Sequence, residues 1–537
     1  NKVRVLCYSD YLAKRDEKDF EDYFNTLRIT ECISYGTFSD MANEFVNPVF
    51  QEKQVSLRDL VKSIVLEHSS LEKLGTPSSD VSRTVLLIDE VDVFFSEPYY
   101  GNTYNPCVRV PIPGLGVIQQ KIWEIVSSFP VKQDKFYISI EEFIDKEVKS
   151  GNQELKEFNK FRQIPDKIRL LVEDDKQRLV ETEFTNQSLL EKHIKEMITI
   201  AVHVSKGKMV DWYINQYKIV DGIICCLSSV DGVYSPSEFS GYLNTFNYFR
   251  LKKVEFDHRD YSNYGYILLD TGRISYAKLP EEFPLILGVS GTVGSLIDHE
   301  KKAIRSYNLN SFSFLPTFFG DSNLKFDEVN DFQVLDSEEN WRDKIFESIN
   351  KVLKKHRAVL VFFSTYYNLN NFQMEYRNKF DRLYTLTENT RNYLKCIEEA
   401  GISNTVTLCT RVMGRGVDFK SSMAVEKEGG VHVIQTFFSL DVKEEKQIKG
   451  RTARKDNKGS YQLILCKKHL IDDKIIEAKS SNQMYSTLHQ RRLNLMKTEG
   501  AKNAEKITKS AEDHKSTMKF FRVGARKPLG VRLGFNT

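Results

Sequence analysis

Cysteine is scarce: eight in 537 residues, with no CxxC pair and no Cys/His cluster at zinc spacing. A chain this long buries several cores without staples, so a disulfide framework and a structural zinc are excluded, and a reducing compartment is expected. Cys225 and Cys226 are adjacent, which suits neither use. No sign of charge dominates. Lys and Arg total 77 against 74 Asp and Glu, a net of +3. That excludes a protein held on nucleic acid by bulk charge alone while leaving room for a local basic groove. The longest apolar runs, Val85–Ile88 and Ala358–Phe363, fall far short of the roughly 18–20 residues that span a bilayer. No signal peptide is expected, and the sequence shows no repeat of fixed period, no low-complexity tract and no RNP1 signature. The first residue is Asn1 rather than Met, and it leads at once into a strand-like run, Val3–Tyr8. The expectation is a fragment whose start lies upstream.

What is present is ordinary for a globular protein: 41% hydrophobic and 28% charged residues, with room for about three or four domains. Val3–Tyr8 reads as a strand and Tyr11–Phe24 as a helix, with Ser9 or Asp10 as cap. Thr84-Val-Leu-Leu-Ile-Asp89 is a second buried strand, so the first hundred residues resolve into βαβ units. From about Pro98 to Tyr276 the composition changes. A Pro/Gly/Asn loop (Pro98–Gly116) leads to charged helices (Gln119–Ser128, Ile140–Arg178, Ser188–His203), then to aromatic, strand-like segments from Trp212 to Tyr266. This stretch reads as a separate domain. Phe283–Ser290 returns to an apolar strand, and a second alternating α/β set runs to Tyr461–Cys466. The tail from about His469 is helical and highly charged.

Four motifs carry chemistry. Leu86-Leu-Ile-Asp89-Glu90-Val-Asp92 brings an apolar strand to an end in paired carboxylates, at the edge where open α/β sheets bind ligands. One carboxylate can hold Mg²⁺ through water and the next polarise the water that attacks a γ-phosphate; a strand end capped by solvated acids reads the same way. Gly288-Val-Ser290-Gly-Thr292 ends another strand in small hydroxyl residues that can report nucleotide state across a domain interface, or simply form a turn. Cys409-Thr-Arg411-Val-Met-Gly414-Arg415-Gly416-Val-Asp418 sets glycines around an arginine, allowing close backbone approach to phosphate, with Asp418 able to contact ribose or organise the arginines. Gln447-Ile-Lys449-Gly450-Arg451-Thr-Ala-Arg454 places two arginines on one helix face. Opposite a phosphate site they would act as fingers, and otherwise as a solvated basic helix.

Together these segments resemble SecA, the ATPase motor family of preprotein translocation. Asp10-Tyr-Leu-Ala-Lys-Arg-Asp16 is similar to its "DYLAxRD", Tyr35-Gly-Thr37 to "YGTNNEF", Leu87–Asp92 to its Walker B strand, and Phe246-Asn-Tyr-Phe-Arg-Leu251 to "FQNYFRLY". Gly288–Thr292 is similar to "GMTGT", Gly429–Ile434 to "GGLHIIGTE" and Gln447–Arg454 to "QLRGRSGR". The resemblance implies an α/β fold of two helicase-type parallel-sheet lobes, an α+β domain inserted in the first lobe and a helical C-terminal tail. The expected boundaries are 1–97 for the first lobe, 98–276 for an insertion like the preprotein cross-linking domain, 277–304 for the return, 305–468 for the second lobe and 469–537 for the tail.

It further implies ATP and Mg²⁺ as cofactors, with Asp89 organising the metal and Glu90 the catalytic base. Gly414, Arg415, Gly416 and Asp418 would lie at the nucleotide, Gln447, Arg451 and Arg454 would sense or stabilise the γ-phosphate, and Ser290 and Thr292 would couple the lobes. The implied substrate is unfolded or extended polypeptide, handled in the cytoplasm with peripheral membrane contact at a SecY-type channel. A superfamily 2 helicase or translocase acting on nucleic acid is the alternative.

Departures from the family are specific. No Gx4GK[ST] phosphate loop occurs in the chain, Phe38-Ser39-Asp40 replaces "NNE", and Lys449 and Ala453 stand where the last motif has arginine and glycine. The tail shows none of the family's long scaffold helix and no Cys-rich zinc terminus.

Overall fold

The computed structural model describes residues 2–46, 81–95, 99–128, 133–165, 167–173, 178–205, 217–227, 234–235, 241–252, 262–316, 318–319, 322–387, 390, 392–477 and 484–524. Short apolar runs of Val, Leu and Ile make the first lobe, a four-stranded parallel sheet in the order Leu285–Gly288, Thr84–Ile88, Lys2–Leu6, Ile33–Gly36. Because every strand runs the same way, all carboxyl ends reach one edge. Ser9, in extended conformation, caps the helix Asp10–Leu27 by accepting the Leu12 amide. Leu12 and Ala13 of that helix pack with Val5 and Cys7.

The second lobe is a six-stranded parallel sheet in the order Phe332–Leu335, Gly459–Cys466, Val431–Gln435, Val359–Phe363, Val406–Thr410, Leu383–Leu386. Val359–Phe363 is buried throughout, and its alternate side chains feed two cores. Leu360 and Phe362 join one face; Val359, Val361 and Phe363 join the other, under Trp341 and Ile345 of the helix Glu338–Leu353. This is how a strand buried on both faces reads as an unbroken apolar run.

The chain leaves the first lobe after Thr84–Ile88 and returns at Leu285–Gly288. The two crossings are zipped together: Cys107–Pro111 pairs antiparallel with Tyr266–Asp270, and Thr103–Tyr104 with Ile274–Ser275. Beyond this neck, the helices Leu115–Ser128, Asn186–Ser205 and Tyr242–Leu251 pack together. A single buried apolar cluster runs from Leu86 and Ile88 through Val108 and Ile118 to Ile194 and Phe246, so the insertion's core is continuous with that of the first lobe.

Two stretches differ from the sequence expectation. Ile140–Arg178 is not one helical run: helices end at Ser150 and Arg162, and Lys167–Glu173 then pairs with Leu179–Thr185 as a hairpin. Pro165 blocks helix continuation, and Ile168, Leu170 and Val172 alternate with other residues at strand period. Tyr242–Leu251, expected as strand, is a helix whose Tyr242, Phe246 and Phe249 are buried at helical spacing; burial overrides the β preference of aromatics. Trp212, Tyr213 and Phe239, of the aromatic stretch read as strand-like, lie outside the described residues.

The tail, expected to be helical and charged, forms one helix of 40 residues, Tyr485–Gly524. Arg492 donates to Ser439 O in the second lobe (3.1 Å). Further along, the helix meets the insertion at its neck and at the hairpin strand Leu179–Thr185. Arg273 N donates to Thr517 Oγ1 (2.8 Å), Ser275 N to His514 Nδ1 (3.2 Å) and Leu179 N to Asp513 Oδ1 (2.9 Å). Among the described residues no helix is long and apolar enough to cross a membrane.

Burial makes the insertion acid-sensitive. Tyr242 Oη accepts from Leu268 N (3.1 Å) and lies 2.9 Å from His193 Nδ1. Burial, with a smaller contribution from Lys192, pushes the His193 ring down to about 3. The unfolded chain takes up this proton near pH 6.5 while the folded chain does not. Stability is therefore intact above pH 6.5 and falls as pH drops from there toward 3, by about 2 kcal/mol at pH 5. Amide exchange in Asn186–Ser205 should accelerate between pH 7 and pH 5, beyond the intrinsic pH effect, less in His193→Gln than in the parent. Equal acceleration in both would remove His193 as the cause.

Candidate functional site

The Thr84–Ile88 strand delivers Asp89 and Glu90 to the carboxyl edge of the first-lobe sheet. The turn is fixed by its neighbours: Asp89 N donates to Leu6 O (2.9 Å) and Val91 N to Val289 O (2.9 Å). Glu90 is held at φ 53°, a left-handed conformation that costs a non-glycine residue about 1 kcal/mol or more. The turn places the Glu90 side chain against the second lobe.

A cationic group meets it there. Arg415 Nη1 lies 3.0 Å from Asp92 Oδ2 and 3.6 Å from Glu90 Oε2. Asp92 is 0% exposed and Arg415 8%. Ser290 Oγ donates to the other Asp92 oxygen (2.5 Å), and Thr292 N donates to Ser290 Oγ (3.1 Å). Asp92 therefore links the acid-bearing strand, the Ser290 turn and the second lobe. Its position two residues after Glu90, in the first turn of a helix, was the available signal; the sequence reading assigned it no role.

Burial pushes the Glu90 carboxyl up, and Arg415 opposes the shift. Glu90 Oε2 is buried and accepts no hydrogen bond among the described residues. Burial also pushes Asp89 up, and Asp16 adds to the shift. Asp16, Asp89 and Cys7 each offer one ligand atom, all within 4.8 Å of one another. Burial, with Asp89 and Asp16, pushes the Cys7 thiol up to about 12, and sulfur is a soft donor ill-suited to a hard cation. What remains is a pair of carboxylates, hard oxygen donors that fit Mg²⁺.

Asp16 and its neighbour Arg15 lie within a motif the sequence reading singled out, without a role. Arg15 Nε donates to Asp16 Oδ1 (2.7 Å) and Nη1 to Gly416 O (2.5 Å), bridging the lobes. Gly416 has φ +65°, and a Cβ there would come 2.4 Å from Leu12 Cδ2. Only glycine lets this turn seat on the first-lobe helix.

Arg451 and Arg454, expected to face Asp89 and Glu90, are engaged within their own lobe. Arg451 donates to Val417 O, to Gln447 O (3.1 Å) and to Gln447 Oε1 (3.3 Å). It is close enough to Glu90 for each to influence the other's protonation. Arg454 pairs with Asp418 (2.6 Å), with both side chains substantially exposed. Gly414 packs against Ile448. The structure thus gathers Asp89, Glu90, Asp92, Ser290 and Thr292 of one lobe with Arg415, Gly416 and Arg451 of the other. Gln447 joins them through Arg451, and the Asp418–Arg454 pair lies further out.

No family model matches the chain. It is similar to a protein translocase subunit SecA 2 of Nitrosospira multiformis, 39% identical over 69 residues, covering 13% of this chain and 10% of that protein. The similarity to SecA of Helicobacter hepaticus is 24% over 250 residues, 46% of this chain and 28% of the relative. In both cases the match spans less than a third of the relative's length. Among solved structures, S. tokodaii Xpd4 covers 89% of this chain and 89% of its own length, at 12% identity and a TM-score of 0.31. Domain 2 of the Mss116p DEAD-box helicase, bound to an RNA duplex, covers 36% of this chain and 86% of its own length, at 18% identity and a TM-score of 0.21. TM-scores this low define no shared function. The SecA-like sequence relationship is low in identity and partial in coverage.

Proposed function

We propose that this chain is the core of a SecA-like, ATP-driven motor that acts on polypeptide. The observation that carries the reading is the meeting of Glu90 and Asp92 with Arg415 across the lobe boundary. Glu90, desolvated and with one oxygen that accepts no hydrogen bond among the described residues, accepts a proton from the attacking water. Arg415 stabilises the charge that gathers on the transferring phosphoryl group. Asp89 with Asp16 would hold Mg²⁺, which when bound neutralises charge on the β- and γ-phosphates. Asp92, fixed by Ser290, with Thr292 beside it, couples Arg415 to the acid strand, so closure of the lobes and assembly of the site are one event. Gly414, Gly416, Asp418, Gln447, Arg451 and Arg454 form the second-lobe wall facing the nucleotide.

The insertion supports a polypeptide substrate. Its small antiparallel sheet runs in the order Tyr234–Ser235, Ile223–Leu227, Tyr217–Val220, with Tyr217–Val220 the outer strand among the described residues. An extended chain can add to such an edge through backbone hydrogen bonds, tolerant of sequence. On the same reading the motor works in the cytoplasm, with a SecY-type channel as its membrane partner. Stimulation of ATP hydrolysis by unfolded protein but not by RNA is the expected result. Stimulation by RNA alone would replace this reading with a nucleic-acid helicase.

A phosphate loop is the part this sequence does not contain, and a motor of this class holds β- and γ-phosphates chiefly through one. Among the described residues the first-lobe sheet ends on Leu285–Gly288, with Leu285, Leu287 and the following Val289 exposed; that edge is open to a further parallel strand. The 537-residue chain alone is expected to bind Mg·ATP weakly, with no heat of binding in calorimetry at micromolar nucleotide. Micromolar affinity would mean that phosphate is held by other groups.

A further inference from the structure

The helix Val442–Lys449 leads directly into Arg451, and it is gripped from two sides. On the first-lobe side Lys443 pairs with Glu300, and Lys446 Nζ donates to Ser295 Oγ (2.7 Å). On the other side the grip converges on one residue. Both Glu445 oxygens are engaged: Oε1 accepts from Tyr485 Oη (2.5 Å) and Lys449 Nζ (2.6 Å), and Oε2 from Arg492 Nη1 (2.5 Å). Glu445 is 2% exposed and Arg492 1%. The Arg492 guanidinium lies 4.7 Å from the Phe438 ring centre and donates to His489 Nδ1 (2.5 Å). The Lys449 ammonium sits among three rings, 4.1 Å from Phe326, 5.0 Å from Tyr461 and 5.3 Å from Tyr485.

A buried ionic cluster of this kind adds little stability over apolar packing, which Leu488 already supplies in the same turn region. What it can add is a single defined placement of the elements it joins. Burial alone would push the Glu445 carboxyl up, but Arg492 and Lys449 overcome that and hold it below the usual range. Two residues beyond Glu445, Gln447 receives two of the three hydrogen bonds that Arg451 donates, the third going to Val417 O.

We propose that Arg492 and Tyr485 of the tail are positioning residues for ATP hydrolysis: by binding Glu445 they orient the helix that places Gln447 and Arg451. This rests on the ATPase reading above. The tail helix touches none of the reacting groups, and its effect on the reaction runs through Glu445. A displacement of about 1 Å at such a site can cost about 100-fold in rate.

The test uses the intact, ATP-hydrolysing protein. Arg492→Met should lower kcat about tenfold or more and leave KM for ATP within about twofold. Arg492→Lys, which keeps a donor for Glu445, should recover much of that loss. Tyr485→Phe, which removes one hydroxyl and spares the fold, should lower kcat about threefold. Glu445→Leu combined with Arg492→Met should be no slower than Glu445→Leu alone, since both act through one contact. Amide exchange over 442–454 should rise in Arg492→Met without nucleotide. Unchanged kcat in an active protein, equal loss from Lys and Met at 492, or additive losses in the double variant would each overturn the role. A parent protein without ATPase activity would sink the motor reading, and this role with it; an active parent with an unaffected Arg492→Met sinks the role alone.

Discussion

Arg415→Ala is expected to reduce ATP hydrolysis by about 10³-fold or more, the scale on which an arginine contributed from across a site acts in phosphoryl transfer. The same change should also weaken the contact between the lobes. It leaves Asp92, fully buried, with only the Ser290 hydroxyl of the two partners described for it. Removing one partner of a buried ion pair costs about 3–5 kcal/mol. The two effects separate in a double variant. Asp92→Asn with Arg415→Met removes both charges, so the protein should regain most of its thermal midpoint. Hydrolysis should stay low, because no guanidinium faces Glu90. If activity returned together with stability, Arg415 would be a structural tie and nothing more.

Glu90→Gln should abolish turnover, by about 10³-fold, within the range seen when a positioned general base is removed. It should leave nucleotide affinity within about threefold, since the amide keeps the shape and the turn at φ 53° is unchanged. Arg415 then loses one of its two carboxylate neighbours but keeps Asp92 at 3.0 Å, so lobe closure should persist. Trapping of ATP in the variant, measured by filter retention against the parent, is the readout. Loss of binding together with loss of turnover would point to Glu90 as a ligand for the nucleotide rather than a base.

Much of the architecture was legible because parallel-sheet strands declare themselves locally. Val85–Ile88 and Ala358–Phe363 are short, unbroken apolar runs, Val431–Ile434 is interrupted only by His432, and each forms a strand of a lobe sheet. The carboxylates at the end of one such run were legible for the same reason. The identity of the arginine opposite them was not. Arg451 and Arg454 stand out in sequence by their spacing on a helix, whereas Arg415 stands in a glycine turn whose aim depends on Leu12, Arg15 and Gly416 meeting across two lobes. Such contacts join residues some four hundred positions apart and leave no local periodicity. The hairpin Lys167–Thr185 was hidden differently: charged residues at alternate positions carried a helical reading past Pro165. The tail's helical character was legible in its charged composition, but its docking was not, because only a few buried side chains, Leu488, Arg492, Asp513, His514 and Thr517, secure it.

That helix also has the geometry of a lever. From Arg492, gripped by the second lobe, to Asp513 at the neck is 21 residues, or about 32 Å at about 1.5 Å per residue. A tilt of about 10° pivoting at Arg492 would carry the Asp513 end about 5 Å, roughly one helical turn. Contacts of hydrogen-bond length at Arg273, Ser275 and Leu179 do not survive such a displacement. Movements near the arginines too small to see in a low-resolution envelope would thus be read out at the neck as a contact made or broken.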